Sequence, residues 1–150
     1  MTSREAKEYL QRIEDIDTRI KNKSIEKAQH YALMMDIATS ITANMSGERV
    51  QSSGSKQRMA DTVDDKLTYI CNIDKRIAEL EKEKEEIIAT IELLPMDEYD
   101  ILHKCYVQRM SLKQVAAERD ESYSSTTTTH GVALTKLAAI LEKRKATICN

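Results

Sequence analysis

Phenylalanine and tryptophan are absent from the 150 residues, there is one proline, and glycine occurs three times. Without large aromatics, an interior has to be built from Ile, Leu, Val, Met and Ala. Such residues pack helix against helix better than they stabilise a half-buried sheet. The scarcity of Pro and Gly removes the usual helix breakers, while Ala, Leu, Glu, Lys and Met are plentiful. The reading is therefore all-α. No apolar run approaches the ~20 residues of a membrane span, and Met-Thr-Ser-Arg-Glu carries no signal-peptide core, so a cytoplasmic location without membrane partners is expected. Cys71, Cys105 and Cys149 are odd in number and far apart, which excludes a disulfide framework and a zinc-type spacing. His30, His103 and His130 lie in separate segments, and no Gly-rich phosphate loop or nucleophile–base pattern is present. Neither an enzyme, a metal site nor a cofactor is expected.

Strong charge of one sign is also lacking. The net charge is −2, which argues against a protein that coats nucleic acid through a broad basic surface. Residues 1–94 hold 15 basic and 18 acidic side chains, and residues 95–150 hold 8 and 7. Any DNA contact must be local.

What is present is heptad periodicity. Ala6, Tyr9, Ile13, Ile16, Ile20, Met34, Ile37 and Ile41 form one seam, interrupted by Lys23, Lys27 and His30. A second seam runs through Val63, Ile70, Ile73, Ile77, Leu80, Ile87, Ile91 and Leu94, with Lys66 and Lys84 as its polar members. Between them, the Ser- and Gly-containing stretch of about 43–60 breaks the pattern and reads as a loop. Two long helices joined this way predict an antiparallel, coiled-coil-like hairpin over residues 1–94. Leu10, Tyr31, Leu33, Leu67 and Ile88 fall outside the seams and would stay partly wet in one chain. Self-association of this stalk, as a homodimer, is therefore expected.

Leu94-Pro95 ends the stalk, because Pro lacks a donor and disfavours helical geometry in the residue before it. Residues 95–150 then read as a helix from Met96 to Arg109-Met110 and a short helix capped by Ser111. After a turn at Asp120-Glu121, a longer helix is capped by Ser122 and buries Tyr123, Thr126, Ala133, Leu134, Leu137, Ala138 and Leu141. A short helix, a turn of about four residues and a longer helix is the spacing of a DNA-binding helix-turn-helix. The last helix opens with Ser122-Tyr-Ser-Ser-Thr-Thr-Thr-Thr-His130, a run rich in short hydroxyls. Hydroxyls can meet phosphates or base edges, and a Thr methyl can touch a thymine methyl. Gly131 costs this helix ~1 kcal/mol relative to Ala.

Tyr99-Asp-Ile-Leu-His-Lys-Cys-Tyr-Val, Met110-Ser-Leu-Lys-Gln-Val-Ala-Ala-Glu-Arg, Ser122-Tyr-Ser-Ser-Thr and Ala133-Leu-Thr-Lys-Leu together resemble the region 4 helix-turn-helix of sigma factors. More closely, they resemble the ArpU/RinA-type phage regulators, in which a helical region precedes such a module. The resemblance covers residues 95–142. It implies a sequence-specific transcriptional regulator of phage or prophage origin, often an activator of late genes, that binds double-stranded DNA and leaves contact with RNA polymerase open. By position it implies that Lys113 contacts the DNA backbone and that Ser124, Ser125, Thr127, Thr128 and His130 occupy exposed recognition positions, with Ser122 and Arg109 in support. The family usually carries Lys or Arg where Thr127 and Thr128 stand. Two alternatives are a small-terminase-like DNA-packaging subunit, which would form a ring, and a helical protein-interaction module with a relic helix-turn-helix.

Overall fold

The computed structural model describes residues 1–45 and 53–148. Every regular element among them is helical: α1 Ser3–Met45, α2 Ser53–Ile91, α3 Met96–Leu102 continued by a π turn at His103–Val107, α4 Leu112–Glu118, and α5 Tyr123–Ile148. None is long and apolar enough to cross a membrane. The expected loop over 43–60 is shorter than its composition suggested, since α1 continues through Met45 and α2 begins at Ser53. Residues 46–52 of that loop lie outside the described residues.

The chain divides into two compact units, and the cut falls inside both long helices rather than at Leu94-Pro95. One unit holds Met1–Thr18 with the chain from Glu81 onward, and the other holds Arg19–Leu80. Within each, α1 and α2 run antiparallel, as a helical hairpin requires. In the first unit Arg12 pairs with Glu83, and Lys84 with Asp17 at 2.7 Å. In the second, Lys27 pairs with Asp74 at 2.7 Å and the rings of His30 and Tyr69 lie 4.2 Å apart.

The first unit carries most of the apolar burial. Ala6, Leu10, Ile13 and Ile16 of α1, Ile87 and Ile91 of α2, Ile101 and Leu102 of α3, Val115 of α4 and Leu137 of α5 are all buried. The opening turns of α1 lie along α5, where the Ser3 and Thr135 hydroxyls are 3.0 Å apart and the Met1 amino group pairs with Glu142 at 3.3 Å. This corrects the expectation for Leu10. It is fully buried, and it borders a recess that Cys105 and Tyr106 of the π turn also line. That burial also pushes the Cys105 thiol up to about 11.

The second unit is thinner. Among the described residues its buried apolar side chains are Met34, Ile70, Ile73 and Leu80, whereas Ile20, Ile37, Val63 and Ile77 are half-buried, and Tyr31, Leu33 and Leu67 are exposed as expected. The buried members of the two seams are thus covered within one chain.

Leu10→Ala should lower the free energy of unfolding by about 2–5 kcal/mol, the usual cost of emptying a closed leucine site. The same truncation at exposed Leu33 should cost under about 1 kcal/mol. Equilibrium urea unfolding of the two variants checks this, and similar losses would contradict the assigned burial.

Candidate nucleic-acid interface

The geometry at α4 and α5 is set by caps. Ser111 and Gln114 form a reciprocal capping box: the Ser111 Oγ accepts from the Gln114 N–H at 3.3 Å, and the Gln114 Oε1 accepts from the Ser111 N–H at 2.8 Å. The turn after α4 closes when the Glu121 N–H donates to the Ala116 carbonyl at 3.0 Å. Asp120 takes the left-handed conformation, φ 55°, which a short polar side chain tolerates. Ser122 then caps α5, its Oγ accepting from the Ser125 N–H at 3.1 Å. Val115 and Ala116 of α4 and Thr126, Ala133, Leu134, Leu137, Ala138 and Leu141 of α5 are the buried faces, as the spacing predicted. Tyr123 is the exception. It stands exposed at the first residue of α5, one turn before Thr126 reaches the core.

A dense ion-pair network ties α3 to this turn. Arg119, with a side chain 13% exposed, reaches Asp100 at 2.5 Å, Glu121 at 3.0 Å and Asp97 at 3.4 Å. Its hydrogen bond to Glu121, and then that to Asp100, hold its proton more tightly than usual. Lys104 bridges Glu118 at 3.0 Å and Asp100 at 3.2 Å, and those partners raise its pKa. Burial alone would raise the Asp100 carboxyl, but the hydrogen bonds from Arg119 and Lys104 bring it below the ordinary range. Lys136 of α5 pairs with buried Glu98 of α3, whose other oxygen has no hydrogen-bond partner. Three of the eight cations in residues 95–150 are thereby spent on holding the helices together.

The sequence-predicted residues separate into three groups. Ser124, Ser125, Thr127 and Thr128 are exposed on the first two turns of α5, and Lys113 is exposed on α4. Ser122, the cap of α5, is exposed as well. Arg109 is only half free, because it takes a left-handed conformation at the end of the π turn, φ 59°, and pairs with Asp17 of α1 at 3.1 Å. His130 does not occupy an exposed recognition position. It is half-buried, its Nε2 lies 3.2 Å from the Tyr106 hydroxyl, and the two rings stack at 5.9 Å. Its place follows from helical spacing, since 126, 130, 133 and 137 fall on one stripe. Burial first, and then nearby Lys7, push its pKa below the ordinary histidine value, so the neutral imidazole prevails at neutral pH.

The threonine hydroxyls are committed as donors. Thr127 donates to the Tyr123 carbonyl at 2.8 Å, Thr128 to that of Ser124 at 2.9 Å, and Thr129 to that of Ser125 at 3.1 Å. Outward, Thr127 and Thr128 offer oxygen lone pairs and methyl groups. Ser124 and Ser125 keep hydroxyl protons that a phosphate or base acceptor could take. Sequence reasoning passed over Lys143, Arg144 and Lys145, exposed in the last turns of α5. Their signal was readable as ordinary basic residues at a helix C-terminus. Arg144 and Lys145 line an open cavity of about 670 Å³ with Tyr9, Arg12 and Leu141. Among the described residues no three His, Cys, Asp or Glu side chains cluster as metal ligands.

No family model, curated protein or solved structure matches the chain.

Asp100→Asn should cost about 1.5–3 kcal/mol at pH 7, the range for hydrogen bonds to charged groups. The folded carboxyl titrates lower than the unfolded one, near 3.9, so its contribution is complete above that value and is lost as pH falls through the folded pKa. The stability gap between wild type and variant, measured by urea unfolding, should therefore close in acid. A gap independent of pH would refute the Asp100 assignment.

Proposed function

We propose that the chain is a DNA-binding transcriptional regulator of the phage type that uses α4, the turn and α5 as a helix-turn-helix of sigma region 4 kind. The observation that carries this reading is the capped short-helix–turn–long-helix arrangement with an exposed hydroxyl face on the leading turns of the second helix. A helix lined with short side chains can sit deep in a major groove, and lone pairs with methyl groups suit amino-bearing base edges and thymine. Lys113 supplies a phosphate contact. Because three other module cations, Lys104, Arg119 and Lys136, are paired internally, a single copy binds weakly. Two copies held together gain affinity through high effective concentration.

The same ion pairing favours a second reading, a helical protein-interaction module, over a DNA-packaging ring. Selection of genomic fragments by the purified full chain at low salt separates the two. Recovery of a specific site supports the regulator, and no binding supports the interaction module.

On a recovered site, Lys113→Ala should weaken binding similarly on all sequences and reduce the salt slope by ~1, as one lost phosphate contact does. Ser125→Ala should change preference at one or two base pairs by ~1–3 kcal/mol. His130→Ala should lower folding stability and leave the salt slope unchanged. Gel-shift titrations at several salt concentrations read all three, and a slope change at His130 would put that side chain on the DNA instead.

A further inference from the structure

The unit formed by Arg19–Leu80 leaves a second regular stripe unused. On α1, Ile25, Ala28, Ala32 and Met35 recur at alternating three- and four-residue steps, the spacing of a coiled-coil seam. At 100° per residue they lie roughly 100–180° from Met34. They therefore face away from the seam of Lys27, His30 and Met34 that meets α2. All four are exposed, Ile25 and Met35 at 47% each. Among the described residues the charges beside the stripe are Lys21 at one end and Asp36 at the other, both exposed and neither in an ion pair.

We propose that this outer face of α1 pairs with the same face of a second copy of the chain, antiparallel and about a two-fold axis near position 30. That register sets Ile25 against Met35 and Ala28 against Ala32, a large pair flanking a small pair, so the helices approach closely at the centre. It also brings Lys21 within reach of the partner's Asp36 at both ends of the interface. A parallel pairing would place Lys21 against Lys21 and Asp36 against Asp36. The stripe is thus self-complementary in one direction only, as an isologous contact demands. The thin interior of this unit, with Ile20, Ile37 and Val63 only half-buried, supplies the need: long helices depend on packing of their apolar faces more than on propensity. This pairing stands independently of any DNA contact.

Sedimentation of the full chain tests the interface. The wild type should be a dimer, and Ala32→Glu, at an exposed position that leaves the hairpin seam intact, should weaken it at least roughly 100-fold by placing unpaired charges in the central layers. Circular dichroism should show unchanged helix content. Register is read in the full chain with Cys71, Cys105 and Cys149 changed to Ser. Gln29→Cys should form an intermolecular disulfide on mild oxidation, because position 29 lies beside its own copy. Thr39→Cys should not, since its copy would be about 27 Å away along the axis at 1.5 Å per residue. A wild-type monomer at high concentration, a dimer indifferent to Ala32→Glu, or cross-linking at 39 but not at 29 would overturn the proposal.

Discussion

Arg119 sits where α4 ends and the chain turns toward α5, and its guanidinium is shared among Asp97, Asp100 and Glu121. Five donors in a rigid fork suit that task in a way a lysine ammonium does not. Through Asp100 the same network takes in Lys104 and hence Glu118 at the end of α4. With Lys136 holding Glu98, α3 is tied both to the turn and to α5. The cost is electrostatic. Cations that hold three short apolar faces in register are cations that cannot neutralise phosphate, so the module's architecture limits how strongly one copy can hold a polyanion.

The parts of the fold that are local in sequence were legible in it. Ser111 and Ser122 cap their helices because a side-chain oxygen two or three residues away is all a cap requires. Pro95 separates α2 from α3 for an equally local reason. The loop over 43–60 was overdrawn, because Ser and Gly weaken a helix without forbidding one. Leu10 illustrates what stays hidden. Heptad spacing assigned it to the wet side of a two-helix seam, but its partners Cys105 and Tyr106 come from the far end of the chain. The compact units cut across the long helices for the same reason.

Within the candidate site the exposed serines and Lys113 were readable from helix phase, whereas the partner of His130 was not. Its imidazole belongs to a stripe that begins at Thr126, and the partner Tyr106 becomes evident only when the π turn is in place. The direction of the threonine hydrogens was equally invisible, since nothing in a run of Thr says whether the hydroxyls turn outward or back onto their own carbonyls. That difference decides the chemistry of the surface. A face of lone pairs and methyl groups discriminates among bases, whereas a face of free donors grips phosphate without discrimination.

The packing of the first turns of α1 along α5 has a consequence for synthesis. The opening turns of α1 have tertiary partners on α5, and a bond such as Ser3 to Thr135 cannot form until that helix has been made. Until then the side of the opening α1 turns that meets α5 remains in water, on a helix whose lifetime depends on packing. The closure of so long a segment is paid once, late and as a unit. A nascent chain halted before α5 would therefore leave that side of α1 uncovered, the kind of surface that chaperones and proteases engage.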